Sequence, residues 1–160
     1  MKKFPLFLCG LSILTSSVSF GDEKISTEKI SRFTISKIKE VSVSSKTFTG
    51  NATLKPLFSK DSTRLSSGVV NFEAGTRTNW HTHPKGQMLI ILEGNGWAQE
   101  ENGKIIEFKK GDIVWIPANV KHWHGASPNS AMSHLAIAPE DENQKSTDWF
   151  EKVSDKQYKK

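Results

Sequence analysis

The sequence predicts an all-β fold, an antiparallel sandwich or barrel, carrying an N-terminal arm and a short C-terminal helix. Three observations lead there. Past Phe48 the apolar residues fall in short runs of strand length. Clusters of glycine, asparagine and proline separate the runs, and no long amphipathic helix lies between them.

The chain begins with Lys2 and Lys3, a largely apolar run from Phe4 to Leu14, and a small, polar stretch from Ser16 to Gly21 broken by Val18 and Phe20. That is the order of a secretory signal peptide over residues 1–21, cleaved near Gly21, and its apolar run is shorter than the ~20 residues of a spanning helix. The expectation is an exported protein, periplasmic or secreted, with no membrane span in the mature chain. Cys9, the only cysteine, lies in this leader, so no disulfide is available and stability must come from packing or bound metal. The apolar run continues past Cys9, which argues against an acylated lipoprotein cysteine. Removing 21 residues from 160 leaves 139, enough for one domain with a real core. Removing Lys2 and Lys3 lowers the formal net charge from +5 to +3, and no basic run exceeds two residues. This mild, scattered excess argues against nucleic acid as the main partner.

Residues 22–46 are rich in Lys, Ser, Thr and Glu. Ile30, Phe33, Ile38 and Val41 fit a weak helical stripe, whereas Val41 and Val43 begin an alternation, so a leader arm and a first edge strand both remain open. The domain itself occupies 47–160. Strands are expected over Ser67–Phe72, Gln87–Glu93, Trp97–Glu100, Lys104–Phe108, Asp112–Ile116 and Met132–Ala138. "EAG", "EGNG", "ENGK", "KKGD", "PANVK" and "ASPNS" supply the turns. In "STDWFEKVSDKQY", Trp149 and Val153 stand four apart behind a polar start, the spacing of a short capping helix.

All five histidines fall between 81 and 134. On a strand His81 and His83 share a face, and Gln87 has the same parity if the strand resumes after the Pro84–Gly86 bend. A lone strand histidine is ordinarily a core residue. A His-x-His pair with a third donor on the same face, and a second His-x-His at 122 and 124, is the pattern of a metal site. Trp80 and Trp123 have opposite parity to their ligand neighbours, so packing is expected of them; Trp97 and Trp115 fit a packed barrel and a lined pocket equally well.

"GTRTNWHTHPKGQMLIILEG", from Gly75 to Gly94, resembles the first motif of the cupin superfamily, with Gln87 where that motif has glutamate. "GDIVWIPANVKH", from Gly111 to His122, resembles the second, with Asn119 in place of its last glycine. Asn tolerates positive φ better than other non-glycine residues, so the turn can survive the exchange. From about Phe48 to Tyr158 the chain is similar to the small single-domain cupins that include the bacterial hydroxynitrile-lyase-like, or mandelonitrile-lyase-like, proteins.

The resemblance implies a jelly-roll β-barrel and a divalent metal, manganese or iron, held by His81, His83, Gln87 and His122. It makes His134 a pocket base. It also implies a small-molecule substrate and allows a homodimer or tetramer. Met132, His134, Ala136 and Ala138 share parity, so an inward His134 would have small or apolar neighbours that keep its ring neutral. His124 is the second candidate for proton transfer; its other role would be a hydrogen bond that fixes a ligand or a loop. A neutral fourth donor leaves the ion its full double charge, which suits Lewis-acid work on a carbonyl or hydroxynitrile. The expected function is a carbon–carbon lyase. A metal-dependent dioxygenase similar to the flavonol-cleaving (quercetinase-type) cupins, or a barrel that binds a metal or small molecule without turnover, are the alternatives.

Overall fold

The computed structural model describes residues 30, 32, 34–58 and 63–159. The expected leader, its cleavage point and most of 22–33 lie outside them. A 3-10 turn at Ile35–Lys37 precedes β1 (Val41–Ser42), β2 (Phe48–Thr49), β3 (Ala52–Phe58), β4 (Leu65–Phe72), β5 (Arg77–Thr78) and β6 (His81–Thr82). Then come β7 (Gln87–Glu100), β8 (Ile106–Lys109), β9 (Ile113–Ile116), β10 (His122–Ala126), β11 (Met132–Pro139), β12 (Asp148–Trp149) and the helix α1 (Asp155–Tyr158). Hydrogen-bonded neighbours run in the order β1-β3-β4-β11-β7-β10-β5-β2, with β6, β8, β9 and β12 attached beside this path. The result is the all-β barrel that the sequence predicts. For the arm the alternation decides: Val41 and Ser42 pair with Leu54 and Thr53, making β1 an edge strand.

Strand β7 joins the two halves of the barrel. Its first part, Gln87 to Ile90, lies between β9 and β11, and Gly96 to Ala98 lies between β10 and β8. The "EGNG" segment is therefore not the turn expected between two strands, because strand pairing continues through it, with Gly94 at φ 73°. Its glycines allow close approach instead: a Cβ at Gly94 would meet the Ala131 carbonyl and one at Gly96 the Phe108 ring. Against β11 the register skips Leu92, so that Ser133 faces Glu93 and His134 faces Ile91. Such a bulge exchanges the two faces of a strand. Buried positions are accordingly odd up to Ile91 and even at Gly96 and Ala98. One long strand thus feeds side chains to the same interior from both halves.

That interior holds Val70, Phe72, Leu89, Ile91, Phe108, Ile116 and Met132, with Ala136 packed against them. A smaller cluster of Trp80, Trp123, Val153 and Tyr158 lies beneath α1. Trp80 and Trp123 are there as their parity requires, and Trp123 Nε1 donates to Gln99 Oε1 at 2.9 Å. The C-terminal helix is real but confined to 155–158, capped by Ser154 with Gln157 in a reciprocal capping box. Trp149 is not helical. Its backbone pairs with His81 in β6, and that pairing outweighs the four-residue spacing to Val153.

Candidate metal centre

His81 and His122 begin strands that face each other, register partner to register partner, with ring centroids 4.1 Å apart. His83 follows β6 in the bend that leads into β7, and its ring lies 5.0 Å from that of His81 and 5.5 Å from that of His122. Two left-handed residues shape this bend. Gly86 (φ 82°) and Asn119 (φ 62°) both send backbone N–H groups to the His83 carbonyl, at 3.3 and 2.8 Å. Asn119 thus keeps the positive φ of the glycine it replaces. One ring nitrogen from each of His81, His83 and His122 lies within 4.8 Å of the others, so the three could hold a metal ion.

The hydrogen bonds behind these rings select the nitrogen that faces inward. Nδ1 of His81 meets the Asn79 carbonyl at 2.9 Å, Nδ1 of His122 meets the Val120 carbonyl at 2.9 Å, and Nδ1 of His83 meets the Ser146 carbonyl at 2.6 Å. A carbonyl only accepts, so each Nδ1 carries the hydrogen and each Nε2 presents a lone pair. Nε2 of His83, Nε2 of His122 and Oε1 of Gln87 are buried without a hydrogen-bond partner among the described residues. Buried acceptors left in this state are costly unless something binds them. The Gln87 side chain favours the protonated form of His83 but makes no hydrogen bond of ordinary geometry with it. These orphaned donors, all uncharged, fit a divalent cation.

Electrostatics agree. Burial pushes His81 well below the ordinary imidazole range, with His122 and His83 adding to the effect. Burial also holds His122 down to about 4, although its Val120 contact works the other way. His83 is lowered by burial and partly restored by Ser146 and Gln87. Neutral rings are the state that binds metal.

Beyond this trio the rings continue inward. His124 lies 5.2 Å from His81, and His134 lies 5.0 Å from His124 and 5.3 Å from Phe72. His134 is 0 % exposed, and among the described residues neither of its nitrogens has a partner; Nδ1 of His124 has none either. Burial lowers His134 to about 4 and His124 well below the usual range, the latter with help from His134. All six residues singled out in the sequence therefore meet in one buried region. The carbonyls of Asn79, Val120 and Ser146 and the Trp149 ring, 4.7 Å from His81, were not among them. Backbone acceptors carry no residue signature, so no sequence signal points to them.

Comparison with known proteins adds the family. The cupin domain model matches residues 68–137. The chain is 50% identical over 114 residues to an (R)-mandelonitrile lyase of Granulicella tundricola, covering 71% of this chain and 86% of that protein. The chain belongs to the cupin family. Among solved structures this cupin is similar to a cupin-like protein of Thermotoga maritima, with 39% identity, a TM-score of 0.67 and coverage of 73% of this chain and 89% of that one. A shorter similarity, 32% identity over 65 residues, relates it to an acireductone dioxygenase of Serratia proteamaculans across 38% of this cupin and 36% of that protein. No helix among the described residues is long and apolar enough to cross a membrane.

Proposed function

We propose that this cupin is an exported, metal-dependent lyase that cleaves a small hydroxynitrile to a carbonyl compound and hydrogen cyanide, and joins them in reverse. The observation that carries the reading is the uncharged donor set beside two further buried imidazoles with nitrogens unbonded. Its 50% identity to a protein named (R)-mandelonitrile lyase supports the same reaction class. His81, His83, Gln87 and His122 would hold the ion, and imidazole and amide donors with room for further ligands suit manganese or iron. An ion bound there supplies Lewis-acid stabilisation of negative charge on the substrate oxygen, undiminished by any ligand carboxylate.

The chain's own residues handle the proton. Gln87 cannot accept one, so the task falls to His134, whose ring is neutral at physiological pH. His134 takes the hydroxyl proton of the hydroxynitrile. The O–H electron pair becomes the second carbonyl bond, and the bond to the nitrile carbon breaks with its electrons on cyanide. The His134 imidazolium then returns the proton to cyanide, releasing HCN and restoring the neutral ring. His124, between His134 and His81, orients the hydroxyl. Phe72, Ile91 and Met132 keep water from the developing charge.

The test is hydroxynitrile cleavage by the metal-loaded mature domain, measured beside oxygen uptake with phenolic substrates. Cleavage lost in His134→Ala is expected. Oxygen uptake that His134→Ala leaves intact would establish instead the dioxygenase reading that the acireductone dioxygenase similarity favours. Metal binding with neither activity would establish a binding role. Export is tested by N-terminal sequencing of the protein from envelope or secreted fractions; an intact Met1 would refute it.

A further inference from the structure

The ligand-bearing strand β6 is two residues long and has little of its own to hold it. On one side it pairs with β10 through His122 alone. On the other it pairs with β12, Asp148 against Thr82 and Trp149 against His81. The chain on both sides of β12 also reaches the site. Ser146 places its carbonyl 2.6 Å from His83 Nδ1, and Thr147 Oγ1 stands 3.3 Å from the same nitrogen. Beyond β12, Phe150 N donates to the Trp80 carbonyl at 2.9 Å and Trp80 N to the Glu151 carbonyl at 3.0 Å. The Trp149 ring lies over His81 at 4.7 Å with a 31° tilt, backed by Phe48 at 6.0 Å. His81 is 1 % exposed while Trp149 is 42 % exposed, so the indole is the layer between that ligand and solvent.

We infer that residues 146–149 form a clasp on the metal centre, in which Ser146 fixes the orientation of His83 and Trp149 is a positioning residue that holds and covers His81. The inference rests on the reading of these histidines as metal ligands and adds to it the element that governs how tightly the ion is kept. One ligand ring, His83, takes its orienting hydrogen bond from this segment, and a second, His81, packs beneath its indole, so undocking of the segment loosens both together. The segment leading into it is largely solvent-facing; Arg64 reaches the Asp141 carbonyl at 3.4 Å, Lys145–Asp148 is local to the segment, and Lys85–Glu142 ties it to the bend after His83 by a surface ion pair. Such pairs are weak anchors. Local opening there, without unfolding of the barrel, is the expected route of metal exchange. Partners that orient a metal-binding histidine typically matter 10- to 100-fold in metal affinity.

The experiment follows Mn2+ binding by titration and its release into excess chelator, in the full mature chain. Trp149→Ala is expected to weaken Mn2+ binding about tenfold or more and to speed release; Trp149→Phe, which keeps a ring over His81, restores most of both. Phe150→Ala is the control. Its ring is similarly exposed in the same segment but lies over Lys121, at 5.3 Å, so Mn2+ binding is expected to stay within twofold of the parent. Hydrogen exchange on the unaltered chain gives a reading that needs no variant: Mn2+ should slow exchange across 146–150. The inference is overturned if Trp149→Ala is folded and binds Mn2+ as the parent does, if Phe150→Ala weakens binding equally, or if Mn2+ leaves exchange across 146–150 unchanged. A parent that binds no metal overturns both this inference and the proposed function; unaltered binding in Trp149→Ala overturns the clasp alone.

Discussion

Replacing His134 by leucine separates a catalytic side chain from a structural one. His134 is sealed in the barrel beside Phe72, with two ring nitrogens that bond to nothing among the described residues. A buried polar group without a partner costs about 1–3 kcal/mol. Leucine is of similar size and has no such group, so metal-free His134→Leu is expected to be as stable as the parent at pH 7, or up to about 2 kcal/mol more stable. Acidity widens the difference. The unfolded ring takes up a proton near pH 6.5 and the folded ring only at about 4, so between these values unfolding binds a proton and stability falls as pH falls. From pH 7 to pH 5 this one residue costs the parent about 2 kcal/mol, a loss that the leucine variant does not share. Urea unfolding of both metal-free proteins at the two pH values measures it, alongside hydroxynitrile cleavage after metal loading. The expected pattern is retained stability, a gap that widens in acid, and cleavage reduced at least a hundredfold, as for the loss of a general base. A variant destabilised by several kcal/mol at pH 7 would refute the reasoning, since His134 would then be part of what holds the barrel together.

Gln87→Glu lowers the net charge of the loaded centre by one, so tighter Mn2+ binding but roughly tenfold slower cleavage is expected, about 1.4 kcal/mol of lost charge stabilisation; a faster lyase would contradict the role given to the neutral amide. Mn2+ at about a hundred times its dissociation constant should stabilise the fold by about 2.7 kcal/mol relative to chelator-treated protein, and identical unfolding curves with and without metal would exclude binding by the native state. Asn119→Gly should preserve both stability and Mn2+ affinity, whereas Asn119→Ala, forced to φ 62°, should cost about 1 kcal/mol. Equal stability of the two variants would show that the left-handed turn is not what Asn119 provides.

Much of the site was legible because strands alternate. His81, His83 and Gln87, and again His122, His124 and His134, could be assigned an inward face from parity, and the barrel places all six together. Trp80 and Trp123 followed the same rule outward into the cluster beneath α1. The rule failed where a local signal met a non-local partner. Gly94, Asn95 and Gly96 read as a turn, yet β11, β8 and β10 pair that segment as strand; its glycines leave room for Ala131 and Phe108, while the bulge at Leu92 moves the buried face from odd to even positions. Trp149 read as helical, yet an open edge of β6 was available to pair with it.

By itself the sequence determined the β architecture and named the candidate donors, because residue type and two-residue periodicity are local properties written directly in the chain. Only the tertiary structure decided that Nε2 is the nitrogen turned toward the candidate centre, that His124 spaces His134 from His81 ring by ring, and that residues 146–149 pack against it. Those outcomes depend on backbone carbonyls at Asn79, Val120 and Ser146 and on strands paired across long stretches of chain. A carbonyl is common to every residue, so its position becomes informative only once the chain has folded.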